Sequence, residues 1–151
     1  MSKFDDIADT FQAVDDDFRL ELLLDYADKL PPLPERYHKL RDEGIGMVHE
    51  CQSPVFLQVE TENGTLRVFA DVPREAPTAR AFCAILTEAF DGEPSGAVRN
   101  APRDPLHQLG LSQLLGARRT RGLSAVYQRL QNEADEAVTG NEATPQESAA
   151  R

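Results

Sequence analysis

The chain is predicted to fold as an α+β domain, a small antiparallel sheet of about three strands with helices packed on one face. Three observations carry this prediction. Two β-branched and aromatic runs flank an Asn63-Gly64 pair, which is a hairpin signal. Segments of helical period lie before and after these runs instead of alternating with them, which argues against a parallel α/β sheet. A length of 151 residues also suits one core that needs neither disulfides nor a structural metal.

Each element has its own signal. Phe4, Ile7, Ala8, Phe11 and Val14 fall on one helical face, which places a first helix near residues 5–14. A second helix is expected over 16–29, with Asp15, Asp16 and Asp17 complementing the dipole at its start. Its apolar set (Phe18, Leu20, Leu22, Leu23, Leu24, Tyr26, Ala27) is broad enough to meet neighbours on more than one side. Pro31, Pro32 and Pro34 stop it. Strands follow at 55–60 and 66–70, and a shorter extended piece at 45–50 offers a third. Residues 76–90 read as a helix with Ala79, Phe82, Ile85, Leu86, Ala89 and Phe90 inward. A short helix is expected at 106–115 and a longer one at 120–137. The domain is thus read as residues 1–138, and 139–151, without a period, as a disordered tail.

The charge balance narrows the ligands. There are 16 basic and 26 acidic residues, a formal net charge of −10. Residues 1–30 contribute −6 and residues 131–151 contribute −4, which leaves the centre neutral. Neither nucleic acid nor an anionic membrane is an expected partner, because both require clustered Lys and Arg. The start, Met1-Ser2-Lys3-Phe4-Asp5-Asp6, has neither the basic start nor the apolar stretch of a secretory signal, so a cytoplasmic location is expected.

Cys51 and Cys83 are too few for a disulfide framework or a four-thiolate site, and His38, His49 and His107 are scattered. No metal and no cofactor are expected on this chain. Cys83 shares an apolar helical face with Leu86 and Phe90, which reads as core. Cys51 lies between two extended segments, beside polar residues and Pro54. It is either an accessible loop thiol or a small residue filling a strand end.

The segment Val48-His49-Glu50-Cys51-Gln52-Ser53-Pro54-Val55-Phe56-Leu57 resembles the signature of the SufE family of sulfur-acceptor proteins, roughly V-x-G-C-Q-S-x-V-W-L. Val48, Cys51, Gln52, Ser53, Val55 and Leu57 match, with Glu50 at the Gly position and Phe56 at the Trp position. Leu30-Pro31-Pro32-Leu33-Pro34 is similar to the family's "LPxLP" helix end, and 79–86 to its helix after the sheet. Arg119-Thr120-Arg121-Gly122-Leu123 is similar to the "RSxGL" that opens its last helix. The loop Asp71-Val72-Pro73-Arg74-Glu75-Ala76 departs from the family's "DSDA". The likeness spans about residues 5–132.

The resemblance implies a SufE/IscU-like fold. It also implies a sulfurtransferase-like carrier that works with a desulfurase rather than alone. Cys51 would take persulfide sulfur from a pyridoxal-phosphate-dependent cysteine desulfurase of the SufS type and relay it to an iron–sulfur scaffold complex of the SufBCD type. His49, Glu50, Gln52 and Ser53 would support the loop. His49 either stabilises the thiolate or is an exposed polar residue, and Gln52 and Ser53 either contact sulfur or make turn hydrogen bonds. Arg119 meets a partner's carboxylates, ties down the cysteine loop, or is a solvated charge. Gly44 and Gly46 offer pivots before the loop. The alternatives are an IscU-type cluster scaffold, which needs more cysteines, and a non-catalytic adaptor that stimulates a desulfurase.

Overall fold

The computed structural model describes residues 2–48 and 53–150, with residues 139–150 described by their backbone alone. Its first helix, α1 (Lys3–Gln12), begins with a capping box. The Ser2 hydroxyl accepts from the Asp5 N–H (3.0 Å), and the Asp5 carboxylate accepts from the Ser2 N–H (3.3 Å). Phe4, Ile7, Ala8 and Phe11 are buried, as their spacing predicts. In α2 (Asp16–Ala27) the Asp15 carboxylate caps the Phe18 N–H. Only Leu23, Tyr26 and Ala27 of α2 are buried. Phe18, Leu20 and Leu24 are exposed, contrary to the expectation of neighbours on more than one side, because α2 packs mainly along α4 and its opposite flank has no cover.

The prolines carry the chain to a 3-10 turn (Glu35–Tyr37) and α3 (His38–Asp42). The strands β1 (Met47–Val48), β2 (Val55–Glu62) and β3 (Thr65–Asp71) form an antiparallel sheet in the order β1-β2-β3. The turn between β2 and β3 has Asn63 at φ 54° and Gly64 at φ 81°, the pair of left-handed residues that a type I′ hairpin requires. β1 is shorter than residues 45–50. The Ile45 N–H bonds back to the Leu40 carbonyl (2.9 Å), and Gly46 is left-handed at φ 84°, so neither is extended; residues 49 and 50 lie outside the described residues.

Alternation along the strands divides the core. Val55, Leu57, Val59, Leu66, Val68 and Ala70 face the main helical layer, in which α4 (Pro77–Phe90) and α7 (Ala117–Ala150) pack on the sheet. Phe56 and Phe69 face the other way and meet Leu33 and Tyr37, so the second face carries a small aromatic cluster under the 3-10 turn. The helix expected at 106–115 is two, α5 (Pro105–Gln108) and α6 (Ser112–Leu115). The Leu111 N–H returns to the Leu106 carbonyl (2.8 Å) and closes α5. The α7 backbone stays helical to Ala150, beyond the end near residue 137 read from the sequence. Among its described side chains the buried stripe ends at Ala134.

Candidate functional site at the end of the sheet

Val48 pairs with Val55, so residues 49–54 link β1 to β2 at one end of the sheet. Asp71 sits opposite Phe56, so the segment that follows β3 leaves at the same end and enters α4 at Pro77. α7, which packs along β2, contributes its first turns there. These segments enclose a cleft of about 230 Å³ lined by Ser53, Glu75 and the starts of α4 and α7. Ala79, Gly122 and Leu123 are its buried floor, Ser53 is half-buried, and Arg118 and Arg119 stand exposed at the rim.

Two polar braces hold this end in place. The Arg41 guanidinium donates to Asp71 at 2.8 Å and ties α3 to the end of β3. Arg80 donates through Nε to the Ala27 carbonyl (2.8 Å) and through Nη1 to the Val72 carbonyl (2.6 Å). It thereby joins the end of α2 to the segment after β3.

The electrostatics of the cleft follow from its two helix starts. α4 has no side-chain cap and no acidic residue in its first turn. The first turn of α7 also has no acid and bears Arg118 and Arg119. Uncompensated N–H groups give a positive end potential, to which the two guanidinium groups add. Among the described residues neither arginine makes an ion pair, and Glu75 is the one acidic residue on the lining. Such a surrounding favours an anion, and a thiolate among anions.

Of the residues singled out from sequence, Ser53 and Arg119 come together on this cleft. His49, Glu50, Cys51 and Gln52 lie outside the described residues. Arg121 is exposed and does not line the cleft. Cys83 is buried in the main core on α4, as its helical face predicts. Glu75 and Thr78 line the cleft and were not singled out as site residues; their signal is the loop after β3, legible only once the register opposite β2 is known. Among the described residues no cluster of three or more His, Cys, Asp or Glu is placed to hold a metal ion, and no helix is long and apolar enough to cross a membrane.

Comparison with known proteins agrees with this architecture. Two proteins from two strains of Mycobacterium tuberculosis, each described as an uncharacterized SufE-like protein, are 35% identical over 133 residues, covering 87% of this chain and 91% of theirs. The solution structure of a hypothetical protein from Thermus thermophilus superposes with a TM-score of 0.77 at 35% identity, covering 92% of this chain and 99% of that one. Residues 5–134 match the family model described as SufE, Fe-S metabolism associated domain. With the fold and a match over most of its length in agreement, the chain belongs to the SufE family, which is associated with iron–sulfur metabolism.

Proposed function

We propose that this chain accepts sulfur on Cys51 from a pyridoxal-phosphate-dependent cysteine desulfurase and relays it toward an iron–sulfur scaffold. The observation that carries the reading is the Cys51-Gln52-Ser53 block in the link between β1 and β2 of a SufE-family chain. Cys51 is two residues from Ser53, so covalent geometry keeps its Cα within about 7 Å of the Ser53 Cα. The arginine rim and the two helix starts around Ser53 support a thiolate in that neighbourhood.

The step is one displacement. The Cys51 thiolate attacks the outer sulfur of the persulfide on the desulfurase cysteine, a new S–S bond forms, the old one breaks, and the desulfurase thiolate leaves. One persulfide is consumed and one is made, so no external oxidant or reductant enters. The proton on the transferred sulfur is exchanged with solvent. This chain contributes the nucleophile, its access and its local field; the desulfurase contributes the chemistry that releases sulfur from cysteine.

The test is mass spectrometry after incubation with a cysteine desulfurase and L-cysteine. The Cys51 peptide should gain about 32 Da for each added sulfur, and a Cys51→Ser chain should gain none. An unmodified Cys51 peptide would sink the proposal. So would full stimulation of the desulfurase by Cys51→Ser, which would make the chain an adaptor.

A further inference from the structure

The face of α2 that turns away from the core is built at a cost to the free chain. Phe18 is 61% exposed, Leu24 40% and Leu20 39%, and these are three of the four large apolar side chains exposed among the described residues. Between the Phe18 flank and the flank of Leu20 and Leu24 runs a ridge of Asp17, Glu21 and Asp25 at i, i+4 and i+8. All three acids are exposed, and among the described residues none has an ion-pair partner. Like charges at this spacing repel, and apolar side chains beside them gain nothing from water. A partner that covers the leucines and neutralises the ridge would relieve both.

The location of this face limits what the partner is. Arg80 bridges the last residue of α2, Ala27, to Val72, and Arg74 reaches the Asp28 carboxylate at 3.9 Å. Val72 directly follows Asp71, the residue opposite Phe56. The C-terminal end of α2 therefore adjoins the sheet end from which the Cys51 link departs, with Leu24 one turn away. A second copy seated symmetrically would set the acidic ridge against itself. Lipid headgroups and nucleic acid would meet the same repulsion. Charge complementarity leaves a protein surface with an apolar centre and a Lys/Arg rim.

We propose that the exposed face of α2, formed by Phe18, Leu20 and Leu24 about the ridge of Asp17, Glu21 and Asp25, docks a basic, apolar-centred patch of the cysteine desulfurase. The inference rests on the sulfur-acceptor reading and adds a second point of grip to the cysteine-bearing link.

The experiment compares the wild-type chain with Leu20→Ser/Leu24→Ser and with Asp17→Asn/Glu21→Gln/Asp25→Asn. Calorimetry gives Kd for the desulfurase of the source organism at low and high salt, and Cys51 persulfidation is followed against chain concentration. The serine pair should weaken binding by about tenfold or more. The carboxamide triple should flatten the salt dependence of Kd. Both should raise the concentration for half-maximal persulfidation and leave the saturating rate unchanged. The carboxamide triple preserves side-chain size, so it decides the matter if the serine pair melts early. Wild-type Kd and salt dependence in the triple, with the wild-type chain sulfurated, would overturn the docking surface alone. A wild-type chain that takes up no sulfur would instead overturn the reading beneath it.

Discussion

Gly46 offers a direct test of how the cysteine-bearing link is anchored. It has φ +84°, and a Cβ built there would stand 2.9 Å from Phe56 Cε1 and 3.3 Å from Cδ1. Phe56 is fully buried and packed in a cluster with Tyr37, Phe69 and Leu33, so its ring has little room to retreat. Gly44 (φ +80°) and Gly64 (φ +81°) share the left-handed backbone but have nothing within 4 Å of their missing Cβ. The three glycines thus separate conformational strain from close approach. An alanine in the left-handed region costs about 1–2 kcal/mol. The stiffer unfolded chain offsets about 0.4–1 kcal/mol of this. Gly44→Ala and Gly64→Ala should therefore cost about 1 kcal/mol each. Gly46→Ala adds an overpacking cost of about 1–3 kcal/mol, for a total near 3 kcal/mol.

Urea unfolding followed by circular dichroism measures the difference. With a slope of about 1–3 kcal/mol/M, the Gly46→Ala midpoint should fall by roughly 1–3 M, well beyond either control. The cause can be isolated in a second background, because Phe56→Leu removes the ring carbons that the new methyl meets. There Gly46→Ala should cost about 1 kcal/mol, a coupling of about 2 kcal/mol between the two positions. Equal losses at all three glycines would refute the argument and return Gly46 to the role of a pivot. The functional stake is β1, since the Gly46 carbonyl accepts the Leu57 N–H at 3.0 Å and holds the start of the link to β2.

Cys83→Ala should lower stability by about 1–2 kcal/mol, since the thiol is fully buried, and leave sulfur uptake unchanged. Sulfur on Cys83 at the wild-type rate in a Cys51→Ser chain would contradict this. Tyr26→Phe removes a 2.5 Å bond from the Tyr26 hydroxyl to the Glu88 carboxylate, yet should cost only about 1 kcal/mol, because exposed Glu88 regains water. A thermal-melt loss several times that size would show that the bond organises more than its own pair. Burial raises the carboxyl pKa of Glu133 against the pull of Arg129, and the Glu136 charge adds to the rise. The folded chain then holds this proton more tightly than the unfolded chain, so the Glu133 contribution to stability falls as pH rises from the ordinary glutamate value through the raised one. Glu133→Gln should remove that slope, and a stability–pH curve parallel to the wild type would reject the assignment.

What the sequence made legible is what local chemistry decides. The hairpin is written in Asn63-Gly64, and the first helix in the spacing from Phe4 to Phe11. The position of Cys83 follows from an apolar stripe that only a core can use. The sides left bare were not legible. Phe18, Leu20 and Leu24 are as apolar as Leu23, and only the placement of α4 determines which are covered. The late start of β1 depends on one left-handed glycine and a backbone bond to Leu40, neither of which alters the apolar pattern. The cleft is likewise a tertiary product, since Ser53, Glu75 and Arg118 come from three distant segments that meet through the register of Phe56 with Asp71 and the packing of α7 on β2. The link was legible as a pattern around Cys51; the arginine rim beside it was legible only at Arg119.

The charge distribution accommodates two demands that would conflict in a smaller or more uniform molecule. An acidic chain attracts a basic partner, but acidity next to a transferring thiol keeps it protonated and inert. Asp17 lies ten residues before Ala27 along α2, which is about 15 Å at the helical rise. Physiological salt screens exposed charges over about 8 Å, so the outer part of the ridge acts on an approaching surface without reaching the cleft. Among the described residues, the groups on the cleft are mostly of the opposite sign: Arg118, Arg119 and two helix starts without acidic first turns, against Glu75 on the lining, while Glu50, next to Cys51 in the sequence, lies outside the described residues. Under the sulfur-acceptor reading, α2 packs along α4 and α7 packs along β2, so the acidic ridge and the arginines are carried by different helices. Under that reading, net charge favours the approach of a basic partner, and the charges that line the cleft beside Ser53 bear on the thiol two residues away.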